Sequence, residues 1–164
     1  CSAAALTMIT ATAWAPAPTW PTWALLATIG ACVAVIDAIT TWIPAVLAWT
    51  GWAGWIGAVV VTALSDHTAA IRAVIATAII FAAWMIAWLI SRGGFGFSDV
   101  RITPLWAAPA AATGIDTIQV TVIAGLTLIA LYALIDRFRH HTTRFLPWAP
   151  SLCSGALIGL AIAH

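Results

Sequence analysis

Apolar residues run along this chain in seven blocks, separated by short clusters of proline, glycine or charged residues. The blocks fall at about 2–15, 22–37, 45–64, 70–90, 103–115, 117–136 and 146–163. Each predicts a helix, because a chain surrounded by lipid has no water to satisfy open backbone groups. The connector Ala15-Pro16-Ala17-Pro18-Thr19-Trp20-Pro21 cannot be helical throughout, since its three prolines lack donors and restrict their neighbours. Ser65-Asp66-His67-Thr68 reads as a short loop whose Ser or Asp caps the following helix, and Asp116 is similarly placed before the 117–136 block.

Composition turns these blocks into membrane segments. The chain is 63% hydrophobic and 7% charged, with a mean hydropathy of +1.06. A span needs about 20 mostly apolar residues, which leaves room for six or seven in 164 residues and for no separate soluble domain. The expected fold is therefore all-α: one polytopic membrane-embedded helix bundle over residues 1–164. The first block reads as clipped and the fifth as short, so both are expected to lie only partly in the membrane. A net charge of +1 with no long basic cluster excludes nucleic acid as a partner. Cys1, Cys32 and Cys153 form no CxxC pair, so neither zinc nor a disulfide framework is expected. No basic-flanked signal segment stands at the N-terminus, and Cys1 in place of Met suggests a truncated start.

Orientation follows from the arginines. With these spans Arg92, Arg101, Arg137, Arg139 and Arg144 fall on one side and Arg72 on the other, which puts the first side in the cytoplasm. Tryptophan is expected at the two interfaces: Trp14, Trp20 and Trp23 outside, Trp42, Trp106 and Trp148 inside. Gly51, Gly54 and Gly57, interleaved with Trp49, Trp52 and Trp55, read as a close-packing helix face, as does Gly155-x-x-x-Gly159.

With no Glu and no Lys, all five acids are Asp, and two stand out. Asp37 closes an apolar block, and Asp99 lies in the glycine-rich stretch Gly93-Gly94-Phe95-Gly96-Phe97-Ser98-Asp99-Val100-Arg101. The predicted topology puts both on the cytoplasmic side, although the charge bias used neither. An ionisable residue in or near the bilayer is a functional-site candidate by default. Two aspartates brought close cannot both ionise cheaply, so they share a proton. The ionised one can take a proton from water while the other donates to a peptide carbonyl, hydrolysing an amide without metal or cofactor. Such a pair titrates as a unit. Gly93, Gly94 and Gly96 would let a substrate strand approach, and Pro44 would break the helix just beyond Asp37.

These segments resemble the type IV prepilin peptidases, a family of GxGD-type membrane aspartic proteases. The family's first Asp is followed after five residues by Ile-Pro, as Asp37 is by Ile43-Pro44, and Thr40 also matches. Its glycine loop ending Gly-Asp-Val-Lys/Arg-Leu corresponds to Gly93–Ile102, and its Ile-Pro-Phe-Gly-Pro-Phe-Leu to Leu146-Pro147-Trp148-Ala149-Pro150-Ser151-Leu152. Ser98 and Ala149 replace glycines of that pattern, Ala45 replaces an Asn or Asp, and Ile39 and Trp42 replace commonly basic positions. The likeness runs from about residue 24 to the end. It implies an endopeptidase of the bacterial cytoplasmic membrane that removes leaders from prepilin-like precursors at the cytoplasmic face, with Asp37 and Asp99 as the catalytic pair. Gly93, Gly94, Gly96, Ser98, Arg101, Ile43 and Pro44 are the supporting motif positions. The cysteine-rich N-terminal region of the larger members is absent, so the likeness implies cleavage and not the N-methylation they also perform.

The remaining polar residues read as structural. His140 and His141, with Arg137, Arg139 and Arg144, form a basic orienting loop rather than a metal site, since two adjacent histidines lack a third ligand. Asp136 is expected to pair with its arginine neighbours, Asp66, His67 and Arg72 to play structural roles on the outer side, and Asp116 to be a cap rather than a relay. Arg101 is expected to anchor its loop to lipid phosphate, with a bias on the Asp pair as the alternative, and Gln119 to bond between helices. HExxH and GxSxG motifs are absent. Two rival readings use the same residues: a lapsed family member serving as an assembly scaffold, which Ser98 favours, and a small proton-coupled transporter. The transporter would require a ladder of acids through Asp116 or Gln119.

Overall fold

The computed structural model describes residues 2–91, 96–140 and 148–163. Expectations for Cys1, Arg92, Gly93, Gly94, Phe95, His141, Arg144, Leu146 and Pro147, and for the side chains of Arg139 and His140, lie outside the described residues. The rest is all-α, with no strand among the described residues. Helix α1 (Ser2–Trp14) leads past Pro16 into a continuous helical stretch, Ala17–Thr40. That stretch comprises a 3-10 turn at Ala17–Thr19, α2 (Trp20–Leu25), a π-helical turn at Leu26–Gly30 and α3 (Ala31–Thr40). It starts earlier than the proline pattern predicted. Pro18 and Pro21 fall in the first turns of their segments, where the missing N–H has no intrahelical partner to lose.

Then follow α4 (Ala45–Ser65), α5 (His67–Ser91), α6 (Phe97–Arg101), α7 (Thr103–Thr113), α8 (Ile115–His140) and α9 (Trp148–Ala163). Asp66 caps α5 as expected, its Oδ1 accepting the Ala69 N–H at 2.9 Å. Asp116 does not cap α8 but lies inside its first turn, exposed. Four stretches are long and apolar enough to cross a membrane: Ala17–Thr40, Ala45–Ser65, His67–Ser91 and Ile115–Phe138.

Helix α7 is the centre of the bundle rather than a partly inserted segment. Every residue from Thr103 to Ala112 is buried, and α2, α4, α5, α8 and α9 all pack on it. Eleven residues make a helix only about 16 Å long, too short for a lipid-facing span. Its run Ala107-Ala108-Pro109-Ala110-Ala111-Ala112 suits the opposite role, because small side chains let neighbouring backbones close in. The C-terminal carbonyls of a helix lack intrahelical partners, and two of them are met by Arg72. Its Nη2 donates to Ala112 O at 2.8 Å and its Nε to Ala111 O at 3.4 Å. Thr113 Oγ1 donates to Pro109 O at 2.9 Å and accepts the Trp23 indole N–H at 3.0 Å. Trp23 and Trp106 are both 0% exposed and belong to the core, contrary to the interfacial positions expected for them. Trp14, Trp20 and Trp42 remain exposed.

The other tight seam joins α8 to α9, which run antiparallel. A Cβ on Gly155 would stand 2.8 Å from Gly125 N and 2.7 Å from Thr121 O. One on Gly159 would press on the Thr121 hydroxyl and lie 2.7 Å from Thr117 O. Those neighbours are mostly backbone and cannot yield. On α4, Gly51 and Gly54 receive Leu105 and Leu25, whereas Gly57 faces open space, so two of the three glycines on that face serve packing.

Gly155→Leu should therefore destabilise the bundle by at least the 1–3 kcal/mol typical of overpacking, about, whereas Gly57→Ala should be neutral or slightly stabilising. Thermal unfolding in detergent checks the contrast; equal melting of the two variants would refute this account of the seam.

Candidate functional site

Asp37 sits one turn before the end of α3 and is only 3% exposed. The helix stops there because Thr41 takes a left-handed conformation (φ 54°), while its N–H still bonds Asp37 O at 2.8 Å. A β-branched residue in that region is strained, and it is the sole non-glycine at positive φ among the described residues. Thr40 steadies the turn, its Oγ1 lying 2.7 Å from Ile36 O and accepting the Trp42 N–H at 3.3 Å. Pro44 restarts the chain as the N-cap residue of α4, its carbonyl accepting from Leu47 and Ala48. Ile43 is buried in a cluster with Val33, Ile102, Leu105 and Ala149. The Ile-Pro pair thus ties the end of α3 to the segments that carry the rest of the site.

Asp99 is 7% exposed, in the first turn of α6. Gly96 is the N-cap, and the Asp99 carboxylate, three residues on, lies beside its Cα. A Cβ on Gly96 would lie 2.9 Å from Asp99 Oδ2 and 3.1 Å from Ser98 Oγ. Glycine is needed here for space, not for an unusual φ. Ser98 lies within the helical turn and has no positive φ, so its backbone does not demand the glycine it replaces. Arg101 turns onto the Phe97 ring, 4.8 Å from Cζ to the centroid, and Phe97 in turn meets Trp88 at 5.0 Å. Arg101 thus stacks within its own short helix.

The third component escaped the sequence reading. Asp37 Oδ2 accepts the Ala149 N–H at 3.0 Å, with the Trp148 amide as a second donor. The start of α9 therefore cradles the carboxylate with free backbone donors and a favourable dipole. The segment 146–152 is among the motif likenesses, and Pro150 in a first helical turn marks a helix start. Nothing in the one-dimensional pattern paired that start with a residue 112 positions earlier.

Asp37 and Asp99 lie at the same end of the bundle, near enough for the charge of one to act on the other. Burial chiefly, and the negative charge of Asp37 next, push the Asp99 carboxyl up to about 7. Asp116 and Gln119 sit on exposed positions of α8, toward the end of the bundle that holds Thr113 and Arg72, and no acid bridges the distance among the described residues. No group of three or more potential metal ligands gathers among the described residues.

Two outcomes follow from this geometry. An Asp99 that keeps its proton in the folded state until about pH 7, against 3.8 for the free side chain, makes stability decline as pH rises from about 4 to 7 and then level off. Asp99→Asn should flatten that decline in pH-dependent melting; an unaltered slope would show that Asp99 is not its source. Thr41→Gly should raise stability by about 1 kcal/mol through relief of the left-handed strain, and a lower melting point would contradict it. Compared with known proteins, the chain matches no family model, no curated protein and no solved structure.

Proposed function

We propose that the protein is a membrane aspartic endopeptidase whose Asp37 and Asp99 act together as general base and general acid. The observation that carries this reading is the convergence of two buried carboxyls from distant segments, one of which holds its proton to near-neutral pH. In the shared-proton state the ionised member removes a proton from water as the water oxygen attacks the scissile carbonyl. The protonated member gives its proton to the carbonyl oxygen; the pair then protonates the amide nitrogen and recovers a proton from a hydroxyl of the tetrahedral intermediate as the C–N bond breaks and the amine leaves. Water and amide are consumed, acid and amine are formed, and the pair regains its single proton. The amides of Trp148 and Ala149 hold Asp37 in place through the cycle.

The substrate class rests on the motif likeness. Leaders of prepilin-like precursors, cut at the cytoplasmic face of a bacterial membrane, are the substrates proposed. The backbone of Ser98 favours a working enzyme over a lapsed scaffold, because the substitution brings no left-handed strain. The separation of Asp116 and Gln119 from the pair speaks against a proton ladder.

Asp37→Asn and Asp99→Asn should each abolish cleavage of a co-expressed prepilin while leaving membrane insertion intact. Gly96→Ala should reduce it through displacement of Asp99, and Ser98→Gly should change it little. Cleavage should fall as pH rises past about 7, where Asp99 gives up its proton. Full processing by either Asn variant would sink the mechanism; a large gain in Ser98→Gly would indicate decay instead.

A further inference from the structure

A second site lies away from the carboxyl pair, on the flank shared by α5 and α8. These two helices both pack on α7 and barely touch one another, so the space between them is left open above the end of α7. The result is a cleft of about 490 Å³ with Ala111 of α7 in its lining. That volume is in the range of small-molecule sites. Its walls are Ile75, Ile79 and Ile80 of α5 and Ile115 and Ile118 of α8, and its polar lining residues are Arg72 and Gln119. Ile75, Ile79 and Ile115 are more than half exposed, so the cleft opens sideways to whatever surrounds the bundle. In a chain with four membrane-crossing stretches, that medium is the bilayer.

Arg72 is unusually prepared for an anion. Five residues separate it from the start of α5, a depth of about 8 Å and hence near the headgroup level. A guanidinium has five N–H donors in a rigid fork. Two are directed to the Ala111 and Ala112 carbonyls, which fix its orientation and leave the others for a ligand. The Gln119 amide at the same cleft adds a neutral donor. Asp116, three residues earlier on α8, does not line the cleft.

We propose that this cleft binds one anionic phospholipid, with its phosphodiester on Arg72 and Gln119 and an acyl chain along the isoleucines. Basic pockets between membrane helices hold anionic headgroups through this combination of a cation and an apolar slot. The lipid would clamp α5 to α8 on the side where they have little contact of their own. This goes beyond the proposed peptidase activity and does not depend on it.

The test is lipid retention by the full chain in detergent, titrated with phosphatidylglycerol or phosphatidylcholine and read by native mass spectrometry. Wild type should hold one phosphatidylglycerol about fivefold more tightly than phosphatidylcholine, the worth of one arginine at an anionic surface. Arg72→Gln should erase the preference. Because Arg72 also caps α7, two variants that spare it keep the test decisive: Ala76→Phe, which fills the cleft, should lose both lipids, and Gln119→Leu should weaken phosphatidylglycerol alone. Unchanged binding in Ala76→Phe, or equal retention of the two lipids by wild type, would overturn the proposal. Displacement of the lipid by millimolar inorganic phosphate would also overturn it, marking a free-phosphate site instead.

Discussion

The requirement that a buried helix have its polar ends satisfied inside the protein organises this bundle. Helix α7 is too short to face lipid and is surrounded by other helices along its whole length. In hydrocarbon an unpaired carbonyl costs several kcal/mol, roughly, so the C-terminal end of α7 needs partners. Arg72 supplies them from α5, and Trp23 of α2 ties the same end through the Thr113 hydroxyl. Once α7 is held this way, the preceding α6 has little freedom, and Asp99 is delivered to a defined place.

The carboxyl pair depends on a second arrangement of the same kind. Asp37 is acceptable below the surface because the start of α9 offers it backbone donors. The start of α9 is in turn positioned by the glycine seam with α8, where no side chain could intervene. Packing thus reaches the site through backbone contacts: Gly155 and Gly159 set the α9 axis, and that axis sets the amides at Asp37. Asp99 has no equivalent cradle among the described residues, and burial makes it retain its proton. Two equal side chains acquire unequal surroundings, which is the asymmetry that acid–base catalysis by a pair requires.

Local irregularity is concentrated around these residues. The π-helical turn at Leu26–Gly30 precedes Asp37 in the same continuous helix, Thr41 is left-handed just after it, and Gly96 gives up its side chain to make room for Asp99. The long helices α4, α5 and α8 carry no such features. Of these irregularities, the π-helical turn is largely inside the protein, with Leu26, Ala27 and Gly30 buried, whereas Thr41 is exposed where α3 ends.

The helices, most of their boundaries and the two aspartates were legible in the residues themselves, because apolar runs, Pro44 and the Asp66 cap act over a few positions. The glycine spacing of α9 likewise announced a packing face, since a missing side chain can serve only close approach there. Three things were not legible. The Ala-rich block 103–113 looked like a weak span, and only its neighbours make it the core. Trp23 and Trp106 looked interfacial, because amphipathic rings suit either place until a partner such as Thr113 is known. The amides that hold Asp37 belong to a segment 112 residues away. Sequence determines what each segment can bury or donate; which donor meets which acceptor depends on how helices pack around α7, and packing is a property of the assembled chain.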